Sequence, residues 1–474
     1  MTNPLAPNWL TEPADLNKVD LKIWPLNCAR NKYGELSFAG VPASELSAQF
    51  GTPLYVIDEE AWRLTAHRVQ KAFVDAAAAV GTTAKVYYAS KAFLCTEVAA
   101  WIAELGLGMD VASGGELAAA LAGGVAPEKI GVHGNNKSHA EIGRAVAAGV
   151  GAIVIDSEIE LERIASAAQA QDKVQKVRIR VNSGVHASTH EYLATAREDQ
   201  KFGIAMADVA PLVERIRSDA HLEFIGLHSH IGSQIFEPNG FEEAASRLVA
   251  LHAELSAGGE IPELNLGGGF GVNYTSADDA PEIEAIAKAM VAAVKRACDE
   301  HNVAVPVLAF EPGRAIAAQS GVTLYTVGTV KDVTVTDGAA PAVRKYVSVD
   351  GGMSDNARPS LYGSEYQVRL ASRETSAAPA LVRVVGKHCE SGDIVVRNDY
   401  LPSDIANNDI VAVAATGAYC YSLSSNYNML ARPAVVAVSN REAKLIVRGE
   451  TEADLFSRDV RYQEQITRIG RDQK

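Results

Sequence analysis

Between Ala84 and Arg314 the chain repeats one phrase eight times: a short apolar, β-branched run, a polar or glycine turn, then an alanine-rich segment of helical period. The runs are KVYYAS at 85–90, LGMDVAS at 107–113, KIGVHG at 129–134, AIVIDS at 152–157, VRIRVNS at 177–183, FIGLHSH at 224–230, ELNLGGG at 263–269 and VLAFEPG at 307–313. A helix between consecutive strands returns the chain so that every strand runs the same way, which makes the sheet parallel. An open, doubly wound sheet uses the same alternation. The strand ends favour closure into a (β/α)₈ TIM barrel, because nearly all finish in groups that are costly to bury or need a special backbone. These are Lys91, Asp110, His133, Asp156, Arg180 with Asn182, His228 with His230, Gly267 to Gly269, and Glu311. In a barrel the C-terminal strand ends converge on one rim, so all of these groups face one pocket.

After Arg314 the texture changes to alternating strands without long helices, in VTLYTVGTVKDVTVT, RKYVSVDG, ALVRVVGK, DIVAVAAT, PAVVAVSN and AKLIVRG. That pattern predicts an antiparallel β-domain of Greek-key barrel or sandwich type. LKIWPLN, GELSFAG and TPLYVID near the start also read as strands. The expected division is therefore 1–55 joining the β-domain, 56–315 as the barrel and 316–474 as the β-domain, which suits 474 residues. The polar stretch at 184–203 outlasts a usual connection and reads either as a lid over the rim or as an ordered excursion.

Composition narrows the function. Lys and Arg number 44 against 58 Asp and Glu, a net charge of −14, so no positive field exists to meet nucleic-acid phosphates or anionic lipid. No apolar run approaches the roughly 18 residues of a membrane span, and the opening has no basic segment followed by an apolar one, so a cytoplasmic protein is expected. Five cysteines, far apart and without a CxxC pair, indicate neither a disulfide framework nor a metal ribbon, and no metal is expected.

Three rim features carry chemistry. Lys91 ends an apolar strand and either reaches water or works as an amine. GGGF at 267–270 lets backbone N–H groups close on an anion, although glycine turns after strands are common. EPGR at 311–314 puts a carboxylate at the end of the eighth strand, beside the first in a closed barrel. An amine, a phosphate nest and a carboxylate for a pyridine nitrogen form the grip expected for pyridoxal 5′-phosphate (PLP).

YYASK, MDVASGGEL, HGNNKS, HSHIGSQ, LNLGGGFG, FEPGR, KHCESGD and TGAYCYSLSSNYN occur in one order from about residue 30 to 435. Together they resemble the alanine-racemase-like, fold type III PLP-dependent decarboxylases, most closely those acting on meso-diaminopimelate. The resemblance implies that Lys91 carries PLP covalently and that His230 stacks on its ring. It gives Ser233, Gly267, Gly268, Gly269 and the turn of Pro312, Gly313 and Arg314 as phosphate contacts, and Glu311 as the partner of the pyridine nitrogen. Asp110 and Arg180 match positions near the ring, where a structural ion pair is an equal alternative. His228 reads as a packed core histidine.

In the β-domain, Cys389 resembles the thiol that returns a proton to Cα; without the surrounding motif it would read as a small buried hydrophobe. Glu390 matches the carboxylate that meets the substrate's distal amino group, and Tyr419 the hydroxyl that contacts phosphate and substrate. Arg358 and Tyr362, with Arg314, match the residues that take the distal carboxylate, and a guanidinium suits that bidentate pairing. In this family the cysteine loop enters the neighbouring subunit's site, which implies a homodimer with shared sites. The implied reaction is decarboxylation of meso-2,6-diaminopimelate to L-lysine and CO₂, closing lysine biosynthesis. The rival is a decarboxylase of ornithine, arginine or a carboxylated polyamine, which have no distal carboxylate to hold. A non-catalytic relative should have lost Lys91 or Cys389, and a racemase needs an acid or base on each face of Cα.

Overall fold

The computed structural model describes residues 3–185, 201–336 and 341–463. The chain starts with a small antiparallel sheet of β1 (Cys28–Arg30), β2 (Leu36–Phe38) and β3 (Val41–Pro42), then enters β4 (Leu54–Asp58). LKIWPLN at 21–27, expected as a strand, is a turn instead. The N–H groups of Ile23 and Trp24 both donate to the Asp20 carbonyl at 2.9 Å, and Pro25 has no N–H to offer a ladder. Ile23 and Trp24 are still buried, so the run is apolar because it packs into a core as a turn.

Eight parallel strands form the barrel: β5 (Ala84–Ala89), β6 (Gly108–Val111), β7 (Ile130–Val132), β8 (Ala152–Ile155), β9 (Gln175–Asn182), then, after the two-residue β10 (Ile204–Ala205), β11 (Leu222–His228), β12 (Glu263–Asn265) and β13 (Val307–Phe310). Pairing of β13 with β5 and of β8 with β9 closes the ring, and β10 adds to the end of β9. All eight expected runs contain strands, from three residues in β7 and β12 to eight in β9, and each stops before its helix signals begin. Those signals are explicit: Ser113 Oγ accepts from the Glu116 N–H, Ser138 and Glu141 form a reciprocal capping box, and Gly106 and Gly149 end their helices in the left-handed conformation. The helix Glu59–Ala78 packs Phe73 on Phe310 at 3.9 Å between ring centroids, which buries the outer face of the β13–β5 seam. Within the excursion at 184–203, residues 186–200 lie outside the described residues.

The remaining strands are β14 (Gly321–Val335), β15 (Ala342–Val349), β16 (Val368–Leu370), β17 (Pro379–Val385), β18 (Ile394–Pro402), β19 (Ile410–Val413), β20 (Ala434–Ser439) and β21 (Glu442–Val447). Their order is β18-β17-β15-β14-β4-β20-β21, with β19 joining β14 to β16. Most pairings are antiparallel, as the alternation predicts, but β15–β17 and β20–β4 are parallel, so the sheet is mixed. Leu54, Val56, Val322, Leu324, Ala412, Val436 and Val438 fill its core.

The chain divides into two compact units: residues 63–272 with 279–317, and residues 1–62 with 273–278 and 318–474. Among the described residues no helix is long and apolar enough to cross a membrane.

Candidate active site

Glu311 follows the last residue of β13, and its N–H donates to the Gly267 carbonyl at 2.8 Å. That bond fixes the carboxylate against the ends of its neighbours. Asn265 Nδ2 donates to Oε1 at 2.8 Å, His228 Nε2 lies 3.1 Å from Oε1 and 3.2 Å from Oε2, and His133 Nε2 lies 3.4 Å from Oε1. His133 Nε2 is also 3.2 Å from Asp110 Oδ1. His228 is therefore more than a packed core histidine: its imidazole holds Glu311. His133, named only as a strand end, sits between two carboxylates, and its N–H donates to Val111 O at 2.8 Å.

Burial governs the charges. It pushes the His228 imidazole down and the His133 imidazole down to about 4, so both are neutral at pH 7, and of the two only His228 makes a hydrogen bond to Glu311. Burial alone would raise Glu311, but His228 and His133 outweigh it and leave its carboxyl well below the usual range. Asp110 is raised well above the usual carboxylate range by burial and by Glu311, with Arg178 opposing. The rim thus offers one firmly ionised carboxylate, Glu311, held by neutral hydrogen-bond donors. Such a group suits a protonated ring nitrogen.

Lys91 stands in the single turn Ser90–Ala92 that follows β5, and its side chain is exposed. His230 is half-buried; its Nδ1 accepts from the Gly268 N–H at 3.3 Å, and burial, with Lys91 and Arg180 nearby, holds it neutral. The glycine turn needs its glycines. A Cβ on Gly268 would lie 2.0 Å from the Glu311 carbonyl oxygen and one on Gly269 2.3 Å from that of Gly232, while Gly267 has φ +67°. Arg314, buried, donates from Nη2 to Ser233 Oγ at 2.9 Å, and the Pro312 carbonyl accepts from the Ala89 N–H at 3.1 Å across the β13–β5 seam. A backbone cradle with no side chains, flanked by a guanidinium and a hydroxyl, fits a phosphate. Gly268→Ala is expected to destabilise the protein by about 1–3 kcal/mol, because the obstacle is backbone and not the end of a flexible side chain; thermal denaturation of the cofactor-free protein measures it. Arg180 is not drawn into the Glu311 cluster by any hydrogen bond: its Nε lies 4.0 Å from Asp156 Oδ1 and its guanidinium stacks 4.3 Å from the Phe202 ring centroid.

The other unit gathers Arg358, Tyr362 and Tyr419. Arg358 is buried at the head of the short helix Arg358–Tyr362, and its Nε donates to Tyr366 Oη at 2.9 Å and its Nη2 to Ser364 Oγ at 3.3 Å. Rings of Tyr274, Tyr362 and Tyr419 lie 5.7, 5.6 and 5.3 Å from its guanidinium carbon. Among the described residues it forms no ion pair. Tyr274 and Tyr366 were not singled out from the sequence, since each lies in a motif-free stretch and joins Arg358 only through the fold. Cys420, next to Tyr419, is buried with its Sγ 3.7 Å from Tyr366 Oη.

Cys389 and Glu390 are exposed on the loop after β17. Asp393 builds that loop by accepting the N–H groups of His388 at 2.8 Å and Met353 at 2.6 Å, and His388 Nδ1 lies 3.1 Å from it. Ser360 Oγ donates to the Gly392 carbonyl at 2.6 Å, which ties the Arg358 helix to the loop carrying Cys389 and Glu390. Asn428 Oδ1 accepts from the Cys389 N–H at 3.2 Å.

Comparison with known proteins accounts for this assembly. The family described as "Pyridoxal-dependent decarboxylase, pyridoxal binding domain" matches residues 66–318. A diaminopimelate decarboxylase of Mycobacterium tuberculosis is 50% identical over 447 residues, covering 93% of this chain and 98% of the relative. One of Corynebacterium efficiens is 45% identical over 455 residues, covering 95% and 97%. The crystal structure of the M. jannaschii diaminopimelate decarboxylase in complex with L-lysine matches with a TM-score of 0.83 at 31% identity, over 92% of this chain and 98% of that one. A family model over residues 66–318 and 50% identity over 93% of the chain place it in the diaminopimelate decarboxylase branch of the pyridoxal-dependent decarboxylases.

Proposed function

We propose that this protein is a PLP-dependent decarboxylase that converts meso-2,6-diaminopimelate to L-lysine and CO₂, the last step of lysine biosynthesis, working as a cytoplasmic homodimer. The observation that carries the substrate is Arg358: a buried guanidinium surrounded by tyrosines and with no carboxylate ion pair among the described residues. A substrate with a second carboxylate supplies the missing partner, and ornithine and arginine do not.

The residues at the rim suit PLP, which when bound supplies an electron sink for the pair left as the Cα–CO₂ bond breaks. Lys91 holds the cofactor covalently. Glu311, kept ionised by His228, His133 and Asn265, holds the ring nitrogen protonated, while neutral His230 packs against the ring face. Ser233, Gly267 to Gly269, the Pro312–Arg314 turn and Tyr419 bind the phosphate, and Asp110 and Arg180 flank the ring. Arg358, Tyr362 and Arg314 take the distal carboxylate and Glu390 the distal ammonium, which orients the scissile carboxylate. Cys389, its thiol on an exposed loop anchored by Asp393, delivers a proton to Cα. The loop acts in the partner's site, so each active site draws on two subunits.

Comparing CO₂ release from meso-diaminopimelate, ornithine and arginine by the PLP-loaded protein tests this directly; preference for ornithine or arginine would refute it. Arg358→Ala removes a charge-assisted pair in a desolvated site, a loss of about 2–5 kcal/mol. Efficiency on diaminopimelate is expected to fall roughly 30-fold or more, read as kcat/KM.

A further inference from the structure

Arg358 belongs to a ring of hydrogen bonds that starts and ends on itself. Its Nε donates to Tyr366 Oη at 2.9 Å, and Tyr366 Oη lies 3.7 Å from Cys420 Sγ. Cys420 Sγ donates to Asn356 Oδ1 at 3.5 Å, and the same oxygen accepts the Arg358 backbone N–H at 3.3 Å. Because Tyr366 Oη accepts from the guanidinium, its own hydrogen is left for the sulfur, whose hydrogen goes on to Asn356. The two sulfur links are the weak ones. Tyr366, Cys420 and Asn356 are fully buried, so bulk water does not compete for any of these bonds. Burial, with Cys420 beside it, pushes the Tyr366 hydroxyl well above its ordinary value, so it stays a neutral O–H.

A guanidinium presents its donors along the edges of a rigid plane. Nε and Nη2 make up one edge, and this chain occupies it: Tyr366 Oη takes Nε, and Ser364 Oγ takes Nη2 at 3.3 Å. Nη1 makes no hydrogen bond among the described residues. The edge left is Nη1 with the second hydrogen of Nη2, a fork that fits both oxygens of a carboxylate. Since the group is planar, holding one edge sets the direction of the other. Two features brace the ring. Tyr274 packs edge-on against Tyr366, with ring centroids 5.2 Å apart at 82°. Tyr419 has φ +68°, a left-handed conformation that tyrosine seldom adopts, and it lets two consecutive side chains serve the same arginine. The Tyr419 ring lies 5.3 Å from the guanidinium carbon, while Cys420 joins the hydrogen-bond ring.

We propose that Tyr366, backed by Cys420 and Asn356, is a positioning residue that determines specificity: it occupies the Nε edge of Arg358 and so turns the Nη1–Nη2 edge toward the second carboxylate of the substrate. This rests on the reading of Arg358 as the group that meets that carboxylate. Without the Tyr366 hydroxyl the Nε–H has no acceptor in a buried place, and the guanidinium turns to find one. A ligand with the second carboxylate then meets a fork whose direction is no longer set. A ligand without it loses nothing.

The test uses two inhibitors that differ by this carboxylate alone: L-lysine, which keeps it after CO₂ has left, and 1,5-diaminopentane, which lacks it. Their inhibition constants, with kcat and KM for meso-diaminopimelate, are measured on the PLP-loaded wild type, Tyr366→Phe, Cys420→Ala, Arg358→Ala and the double variant R358A/Y366F. In Tyr366→Phe the preference for lysine over the diamine is expected to fall about 10-fold, because phenylalanine keeps the ring's packing and removes only the acceptor. KM for diaminopimelate should rise by a similar factor with kcat little changed. Damage of a merely structural kind would weaken both inhibitors alike. Cys420→Ala breaks the ring one link farther away and is expected to lower the preference about threefold, as suits a weak sulfur bond. In Arg358→Ala the preference is lost, and adding Tyr366→Phe changes it no further. A folded Tyr366→Phe with the wild-type preference overturns the proposal; if that variant does not fold, an unchanged preference in Cys420→Ala overturns it. If the wild type shows no preference, or Arg358→Ala keeps it, the reading of Arg358 itself has failed; if Arg358→Ala loses it and Tyr366→Phe does not, only the role of Tyr366 has.

Discussion

Lys91→Ala is expected to yield a folded protein without turnover. The side chain is exposed in a single turn after β5, so its loss costs little stability, within about 0.5 kcal/mol. Its chemistry has no ready substitute: Lys137, the other primary amine near the strand ends, is buried with its Nζ tied to Glu160 Oε2 at 2.8 Å and to the Gly134 and Val154 carbonyls at 2.8 and 2.7 Å, and carboxylates, imidazoles and guanidiniums do not bond covalently to an aldehyde as a free amine does. Turnover should drop on the order of 10³-fold or more, the visible absorption of the bound cofactor should change, and borohydride should no longer fix PLP to the peptide containing residue 91. Peptide mapping after reduction decides the matter. An active variant with PLP trapped on another lysine would end this assignment.

Mixing two inactive variants is expected to restore activity. If Lys91 and Cys389 act on the same Cα from different subunits, Lys91→Ala and Cys389→Ala homodimers each carry two damaged sites. A mixed dimer gathers both lesions into one site and leaves the other with an intact lysine and an intact cysteine. Random exchange then regenerates about a quarter of the wild-type sites, by two-fold symmetry. The Cys389→Ala parent should itself be slowed by roughly 10²- to 10⁴-fold, the usual contribution of a placed general acid, so the recovery stands far above background. If every site is built from one chain, mixing yields only the mean of the two parents. That result, with subunit exchange verified by mass spectrometry, would assign Cys389 to its own subunit.

The barrel was legible because each of its eight strands is a local event: a β-branched run with a polar or glycine stop, followed by a capped helix. The rim lysine, the glycine turn and EPGR were legible for the same reason, since their chemistry lies in consecutive residues. The β-domain was read less completely. β18 carries Arg397, Asn398 and Asp399 in its middle, which breaks the apolar alternation. The fold makes room for them because buried Asp399 accepts the Val368 N–H at 2.8 Å and pairs with Arg369 at 3.1 Å, partners about thirty residues away. β16, three residues long, carries no periodicity to detect. LKIWPLN misled because burial, not strand pairing, makes it apolar.

What the sequence by itself determined is the set of groups brought to the rim, since a parallel barrel delivers every strand end to one face whatever lies between. Only the tertiary structure decided which of those groups meet. Asp110, His133, His228 and Glu311 come from four strands, and nothing local distinguishes His228 as a packed side chain from His228 as the donor that holds Glu311 ionised. Arg178 and Glu263 are likewise ordinary charges in the sequence and a buried ion pair only once β9 and β12 surround one interior. The physical reason is that local patterns report backbone preference and burial, whereas the charge state of a buried group is set by neighbours across the barrel, which closure alone brings within a few ångströms.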